Sequence, residues 1–350
     1  MKAMLLRELG PVVAGRALLE FADVPVPEPA PGEVLLRLAA CGVCHTELDE
    51  IEGRTAPPRL PVIPGHQAVG RIIEYGDSVP GTDLPISARP RIEDRVGVAW
   101  IFSACGHCEQ CTAGNENLCP EFRATGRDVN GGYAEYMTAP AEFVHPIPDA
   151  ISDIDAAPLL CAGAIGYRSL RLAGVRDGMR LGLTGFGGSG HLVLKMVRHR
   201  YPSARVYVFA RHPEERAFAL ELGATWAGNT TDRAPVKLHA IIDTTPAWLP
   251  VLGALEQLEP GGRLVVNAIR KEDADKGHLL DLDYSRHLWL EKEVRSVANV
   301  ARVDVREFLA LAAEIPLRPE VETYDLRDAG RALLDLKTQR VRGAKVLRMG

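Results

Sequence analysis

Hydrophobic and polar positions change their rhythm once along this chain, near residue 165. Up to about residue 160, apolar residues come in short runs such as Val34-Leu-Leu-Arg-Leu38 and Ala68-Val-Gly-Arg-Ile-Ile-Glu-Tyr75, separated by proline and glycine turn signals. Runs this short, bounded by turn formers, predict an irregular and mostly β domain. The segment Val24-Pro-Val-Pro-Glu-Pro-Ala-Pro-Gly32 lies between two strand candidates and reads as a rigid surface connection. Pro80 to Arg91 reads as a surface loop.

After residue 165, apolar runs alternate with helical stretches. Leu181–Thr184, Val206–Ala210, Ile241–Asp243 and Leu264–Asn267 are predicted strands; Gly190–Arg200, Pro213–Leu222 and Trp248–Leu258 are predicted helices. Strand and helix in turn imply right-handed crossovers and a parallel sheet covered on both faces. From about Asp304 a helical period returns, with Phe308, Leu309, Ala312 and Ala313 expected on one face, and the chain ends in strand-like Lys345-Val-Leu-Arg348. No repeat of 20 to 50 residues is present.

At 350 residues the chain exceeds one comfortable core, so two domains are expected. A hydrophobic share of 46% with 25% charged residues is that of a soluble globular protein. A net charge of -5 argues against a nucleic-acid partner, and no apolar run reaches the roughly 18 residues of a membrane span. The start Met1-Lys-Ala-Met-Leu-Leu-Arg7 lacks the pattern of an export signal, so a cytoplasmic protein with reduced thiols is expected. Seven cysteines then point to metal ligands.

Four of them, Cys105, Cys108, Cys111 and Cys119, have the spacing Cys-x2-Cys-x2-Cys-x7-Cys. Four thiolates can close a tetrahedral cage around one zinc ion and leave no open position, which makes the ion structural. A disulfide ladder would suit a secreted chain, and an iron–sulfur site normally places its fourth cysteine after three residues rather than seven, although Pro120 does follow here.

Gly185-Phe-Gly187-Gly188-Ser-Gly190 follows a predicted strand and opens a predicted helix. In that setting the glycines permit a tight turn and a close approach of backbone to a pyrophosphate, whose charge meets the helix N-terminus. About 20 residues later an acid normally binds the adenosine ribose, but the sequence reads Val208-Phe-Ala210-Arg211-His212. Without that carboxylate a 2′-phosphate is not repelled and Arg211 can pair with it, so NADP(H) is favoured over NAD(H). Glu214 and Glu215, in the following helix, are poorly placed to substitute.

Cys44, His66 and Cys161 remain outside the cage, and two thiolates with one imidazole are the ligand set of a catalytic zinc that keeps a position open. Each cysteine alone reads as well as a buried small hydrophobe, which is the reading for Cys41, and spacing cannot join ligands so far apart.

Gly42-Val-Cys44-His45-Thr46-Glu47-Leu48, Pro64-Gly-His66-Gln67, the four-cysteine lobe, Gly131-Gly-Tyr-Ala-Glu-Tyr136 and Pro158-Leu-Leu-Cys161-Ala-Gly163 together resemble the zinc-containing alcohol dehydrogenases of the medium-chain dehydrogenase/reductase superfamily, over essentially the whole chain. The resemblance implies an α/β fold: a GroES-like, mostly β catalytic domain over residues 1–163 and 298–350, with the zinc lobe near 100–120, around a Rossmann domain over 164–297. It implies a site in the cleft between the domains. It further implies two zinc ions per chain, with Cys44, His66 and Cys161 on the catalytic ion and Cys105, Cys108, Cys111 and Cys119 on the structural one. Thr46 matches the hydroxyl that takes the alcohol proton, and His45 matches a residue on the cofactor pyrophosphate. Glu47 stands where an aspartate usually supports the zinc-binding histidine, and Trp100 resembles a bulky pocket residue, though core packing explains it equally well.

Three departures stand out. Gln67 replaces a glutamate that approaches zinc during ligand exchange. Asp49 stands where many members carry the histidine ending a proton relay. Gly343-Ala344-Lys345 lacks an arginine that often contacts cofactor phosphate; Arg342 or Lys345 could compensate, but neither is counted as a site residue. The implied activity is NAD(P)(H)-dependent interconversion of a small or medium alcohol with its aldehyde or ketone by a homotetramer or homodimer. A polyol or amino-alcohol dehydrogenase, and a non-catalytic zinc- and nucleotide-binding regulator, are the alternatives.

Overall fold

The computed structural model describes residues 1–76, 91–315, 317, 319–338 and 343–350, so the expected loop from Pro80, up to residue 90, and Arg342 lie outside the described residues. The chain divides into two compact units, one of Met1–Cys161, Val300–Ala313 and Arg318–Gly350, the other of Ala162–Asn299 with Glu314–Leu317. Among the described residues no helix is long and apolar enough to cross a membrane.

The first unit is built on a seven-stranded sheet. Its path runs Val321–Asp325, Ala344–Arg348, Glu33–Val43, Ala68–Tyr75, Arg95–Val98 and Val144–Pro146, with Tyr136–Pro140 also paired to Glu33–Val43. The strand Ala68–Tyr75 has the bounds its sequence pattern predicts, and the run at Val34 extends to the longer strand Glu33–Val43. That longer strand is central, and Leu36, Ile72, Met137, Tyr133 and Leu347 pack into the core around it. Each such side chain withdrawn from water contributes roughly 1.5–3 kcal/mol. The proline-rich stretch after residue 23 does connect two strands, Leu19–Asp23 and Glu33–Val43. Near the middle of the unit, Ile101–Ser103 pairs antiparallel with Arg123–Ala124, and the four-cysteine loop leaves and returns through that two-stranded base.

The helix near the C-terminus spans Arg302–Glu314 and buries Val305, Phe308, Leu309, Leu311 and Ala312. Ala313, expected on the same face, is exposed. At 3.6 residues per turn it lies about 100° beyond Ala312, past the edge of the apolar stripe.

The second unit holds a six-stranded parallel sheet. Numbered in chain order, Arg180–Thr184, Arg205–Phe209, Trp226–Gly228, Leu238–Asp243, Leu258–Val266 and Glu293–Ser296 lie in the spatial order 3-2-1-4-5-6. That is the order of a doubly wound dinucleotide fold. Leu181, Leu183, Val206, Val208, Ile241, Ile242, Leu264 and Val265 are buried without alternation, as expected for strands covered on both faces. The glycine loop leads into the helix Gly188–Arg200, which starts two residues before its predicted first residue and buries Leu192, Val193, Met196 and Val197.

The first unit also carries an acid-sensitive element. His145, in the strand Val144–Pro146, is buried, and that burial, reinforced by Arg302 and Arg306, pushes its pKa down to about 3. Between pH 3 and the ordinary value near 6.5, the unfolded chain binds a proton that the folded chain does not, so stability rises with pH there. The contribution is complete above pH 6.5 and is lost on acidification, with about 2 kcal/mol disappearing between pH 7 and pH 5. His145→Gln is expected to flatten the dependence of the denaturation midpoint on pH across that interval. An unchanged slope in urea titrations would exclude this account.

Candidate functional site

The site begins at Cys44, which follows the strand Glu33–Val43 and caps the helix His45–Ile51 in extended backbone. Glu47, in the first turn, accepts the Cys44 N–H through Oε2 at 2.8 Å, the reciprocal half of a capping box. Its other oxygen, Oε1, hydrogen-bonds Nδ1 of His66. One carboxylate therefore fixes both the helix start and the imidazole. His66 follows Gly65, whose φ is +100° and whose added Cβ would stand 2.4 Å from the Tyr133 ring, so only glycine fits there. Cys161 sits on the π-helical turn Leu159–Gly163, a local widening frequent at functional sites.

These elements bring Cys44 Sγ, a His66 ring nitrogen and Cys161 Sγ within 4.8 Å of one another. The two sulfurs are 3.9 Å apart, close to the ~3.8 Å that tetrahedral geometry gives two thiolates on one zinc ion. His66 is buried, Nδ1 is committed to Glu47, and Nε2 has no hydrogen-bond partner among the described residues. A buried imidazole with one orphaned nitrogen beside two thiols is the arrangement a metal completes. Accepting a hydrogen bond from Cys161, and facing His66, pulls the Cys44 thiol well below the usual range despite burial. The same bond, then burial, pushes Cys161 well above it. Burial opposes a charge on His66, but the Glu47 carboxylate and Cys44 outweigh it and raise its pKa well above the ordinary value. Binding of a divalent ion there must therefore release protons.

Thr46 Oγ1 lies 3.7 Å from Cys44 Sγ, beside the cluster. Asp49 is buried, and its Oδ1 accepts from Arg54 Nε at 2.5 Å, so this carboxylate is held by a fixed cation. Gln67 is buried against Gly42, where an added Cβ would come within 2.5 Å of its Oε1. Cys41 is fully buried, and desolvation first, then Glu47, drives its pKa well up, as for an inert hydrophobe. His45 is exposed at the first turn of the helix.

Trp100 carries contacts that sequence reasoning missed. Its Nε1 donates to Glu50 Oε1 at 3.1 Å, the Arg127 guanidinium lies 5.6 Å over its ring, and Phe122 stands 5.7 Å away. The one signal for Glu50 was a third acid, beside Glu47 and Asp49, within a single short helix.

The sulfurs of Cys105, Cys108, Cys111 and Cys119 form a second cluster, again within 4.8 Å of one another. Cys105 and Cys111 sulfurs are 3.9 Å apart, far beyond a disulfide and too close for ligands spread around an iron–sulfide cluster. Cys105 N–H and Glu121 N–H both point at Cys119 Sγ at 3.3 Å, and Cys108 N–H points at Cys105 Sγ at 3.3 Å. Backbone donors of this kind favour thiolates; those of His107 and Cys108 bring the Cys105 pKa to about 6.

In the second unit, the glycines divide their work. Gly185 has φ +81°, and a Cβ there would meet Thr244 Oγ1 at 2.6 Å; at Gly190 a Cβ would meet the Gly185 carbonyl at 2.9 Å. Gly187 and Gly188 face open space, which leaves their backbone free for a phosphate at the helix start. Nearby at the carboxyl ends of the strands, Asp243 is buried and paired with Lys271, whose Nζ also donates to the Thr245 and Ala247 carbonyls. Ala210 is buried at the end of the second strand, while Arg211 is exposed. Arg216, which the sequence reading passed over, donates to the Ala210 and Arg211 carbonyls at 2.9 Å. Lys345 is fully buried and donates to Glu322 and Tyr324, which removes it from any role on a cofactor phosphate.

The family "Alcohol dehydrogenase GroES-like domain" matches residues 30–149. Over 347 residues the chain is 44% identical to a probable alcohol dehydrogenase, AdhA, of Mycobacterium tuberculosis, covering 99% of this chain and 97% of that one. The chain belongs to the medium-chain alcohol dehydrogenases. An alcohol dehydrogenase of Geobacillus stearothermophilus is 34% identical over 340 residues, with 95% and 96% of the two chains covered. Among solved structures, a cinnamyl alcohol dehydrogenase of Sorghum bicolor superposes with a TM-score of 0.83 at 26% identity, covering 99% of this dehydrogenase and 97% of its own chain. The alcohol dehydrogenase of Aeropyrum pernix gives 0.82 at 26% identity over the full length of both chains. The α/β architecture of a GroES-like unit with a Rossmann-type parallel sheet is the family's own.

Proposed function

We propose that this dehydrogenase is a zinc-dependent, NADP(H)-preferring enzyme interconverting small or medium alcohols with their aldehydes or ketones. The observation that carries the metal part is the orphaned Nε2 of buried His66 beside the Cys44 and Cys161 sulfurs, with Nδ1 held by Glu47. Cys44, His66 and Cys161 would hold the catalytic ion, which when bound supplies Lewis-acid polarisation of the substrate oxygen. The chain's own residues do the rest. Glu47 keeps the proton on Nδ1, so Nε2 presents its lone pair. Thr46, whose hydroxyl lies beside Cys44, hands a proton between substrate oxygen and solvent. The ion pair with Arg54 ties up the Asp49 carboxylate, so solvent, rather than Asp49, ends the relay. Cys105, Cys108, Cys111 and Cys119 would hold a second ion whose work is structural.

The cofactor preference rests on the carboxylate-free strand end, where Arg211 is exposed and Arg216 stands close by on the strand-end carbonyls. Arg211→Ala is expected to lower kcat/KM for NADPH by about tenfold, the worth of one charge-assisted contact, and to leave NADH nearly untouched. Steady-state kinetics of zinc-replete enzyme with both cofactors over a panel of aldehydes and ketones tests the whole reading. Equal or better efficiency with NADH would remove the cofactor assignment. Reduction of no carbonyl with either cofactor would remove the enzymatic one and favour a regulator.

A further inference from the structure

Glu50 is a carboxyl group in the wrong solvent. It is 1% exposed, its Oε1 accepts from Trp100 Nε1 at 3.1 Å, and its Oε2 has no hydrogen-bond partner among the described residues. Burying such a group with half of its capacity unmet is costly, and an aliphatic residue would fill this place in the helix His45–Ile51 without that cost. The one bond it makes is directed at an aromatic ring.

That ring has further neighbours. The Arg127 guanidinium, fixed to Asp128 by bonds of 2.9 and 2.8 Å, covers one face of Trp100 at 5.6 Å. Phe122 abuts it at 5.7 Å and His66 at 6.5 Å, while the Trp100 carbonyl accepts from Thr125 N–H at 2.8 Å. Apolar and cation–π contacts set the plane in which the ring lies, but a half-turn that exchanges its two edges would keep them. Only the bond to Glu50 specifies which edge faces inward.

We propose that Glu50 is a positioning residue that locks the Trp100 indole in one orientation and thereby sets the upper size of carbonyl substrate the site accepts. The inference rests on Trp100 being a wall of the substrate pocket. Burial, and then the neighbouring Glu47, hold the Glu50 carboxyl well above the usual carboxylate range, so glutamine is its close isostere.

Four variants of the zinc-loaded enzyme decide the matter, each read as the ratio of kcat/KM for benzaldehyde to that for acetaldehyde. Glu50→Leu is expected to raise this ratio about tenfold, since pocket fit discriminates on that scale, with no loss of melting temperature. Glu50→Gln is expected to stay within about twofold of the parent ratio, because its carbonyl accepts the same N–H. Trp100→Phe removes the donor from the other side and reports independently if Glu50→Leu does not fold; it is expected to raise the ratio too. If Trp100→Ala changes the ratio while neither Glu50→Leu nor Trp100→Phe does, the role of Glu50 is overturned and the pocket reading stands. If Trp100→Ala leaves the ratio unchanged, the pocket reading itself fails and takes this inference with it.

Discussion

Cys44→Ser is expected to lower kcat/KM for alcohol oxidation by about 10³-fold or more while leaving the chain folded. The activity loss follows from removing one of two thiolates in the Cys44, His66 and Cys161 cluster, since Lewis-acid stabilisation is worth several kcal/mol and each 1.36 kcal/mol is tenfold. The stability result follows from where Cys44 sits. It is the residue before the helix His45–Ile51, a place where serine is among the preferred caps, and the Glu47 bond to its backbone N–H does not involve sulfur. Metal content should fall by one ion per chain, measured by elemental analysis alongside the kinetics. Full activity with that ion missing would refute the assignment of the cluster.

Cys119→Ser is expected to do the opposite: the melting temperature falls by about 10 °C, and activity follows stability. Cys119 is buried, and its sulfur gathers the Cys105 and Glu121 N–H groups as well as closing the cage. A loop of this kind has little core of its own, and a structural ion contributes folding energy directly. Losing a few kcal/mol shifts the midpoint by that order in a chain of this size. The loop's base also flanks the pocket candidate, with Trp100 just before the strand Ile101–Ser103 and Phe122 just before Arg123–Ala124. Differential scanning calorimetry of the variant, with metal content determined in parallel, checks both statements; an unchanged midpoint would mean that the cage is not a clamp.

Where local pattern determines structure, the sequence reading and the fold agree. The strand Ala68–Tyr75, the glycine loop opening Gly188–Arg200 and the unbroken apolar runs at Val206 and Ile241 were legible because periodicity and turn residues act over a few positions. Ala313 went astray for the same reason, since its place at the margin of the stripe depends on what the helix packs against. The four-cysteine loop was legible because its ligands are close in sequence. Cys44, His66 and Cys161 were not, because only the folded chain brings them within 4.8 Å, and resemblance had to stand in for geometry. Side-chain pairing was the least legible level. Nothing in a string of residues says that Arg54 takes Asp49, that Lys345 is buried on Glu322, or that Trp100 turns its N–H toward Glu50.

Turnover is proposed to depend on the ion held by Cys44, His66 and Cys161. Stepwise removal of metal from the enzyme with a chelator, recording zinc per chain and alcohol-dependent reduction of NADP+ on the same samples, tests this dependence. The expected result is that activity disappears with the loss of one of two zinc ions, that the fold persists, and that activity returns on adding one equivalent of zinc. Undiminished turnover in folded protein with that ion gone would contradict the claim.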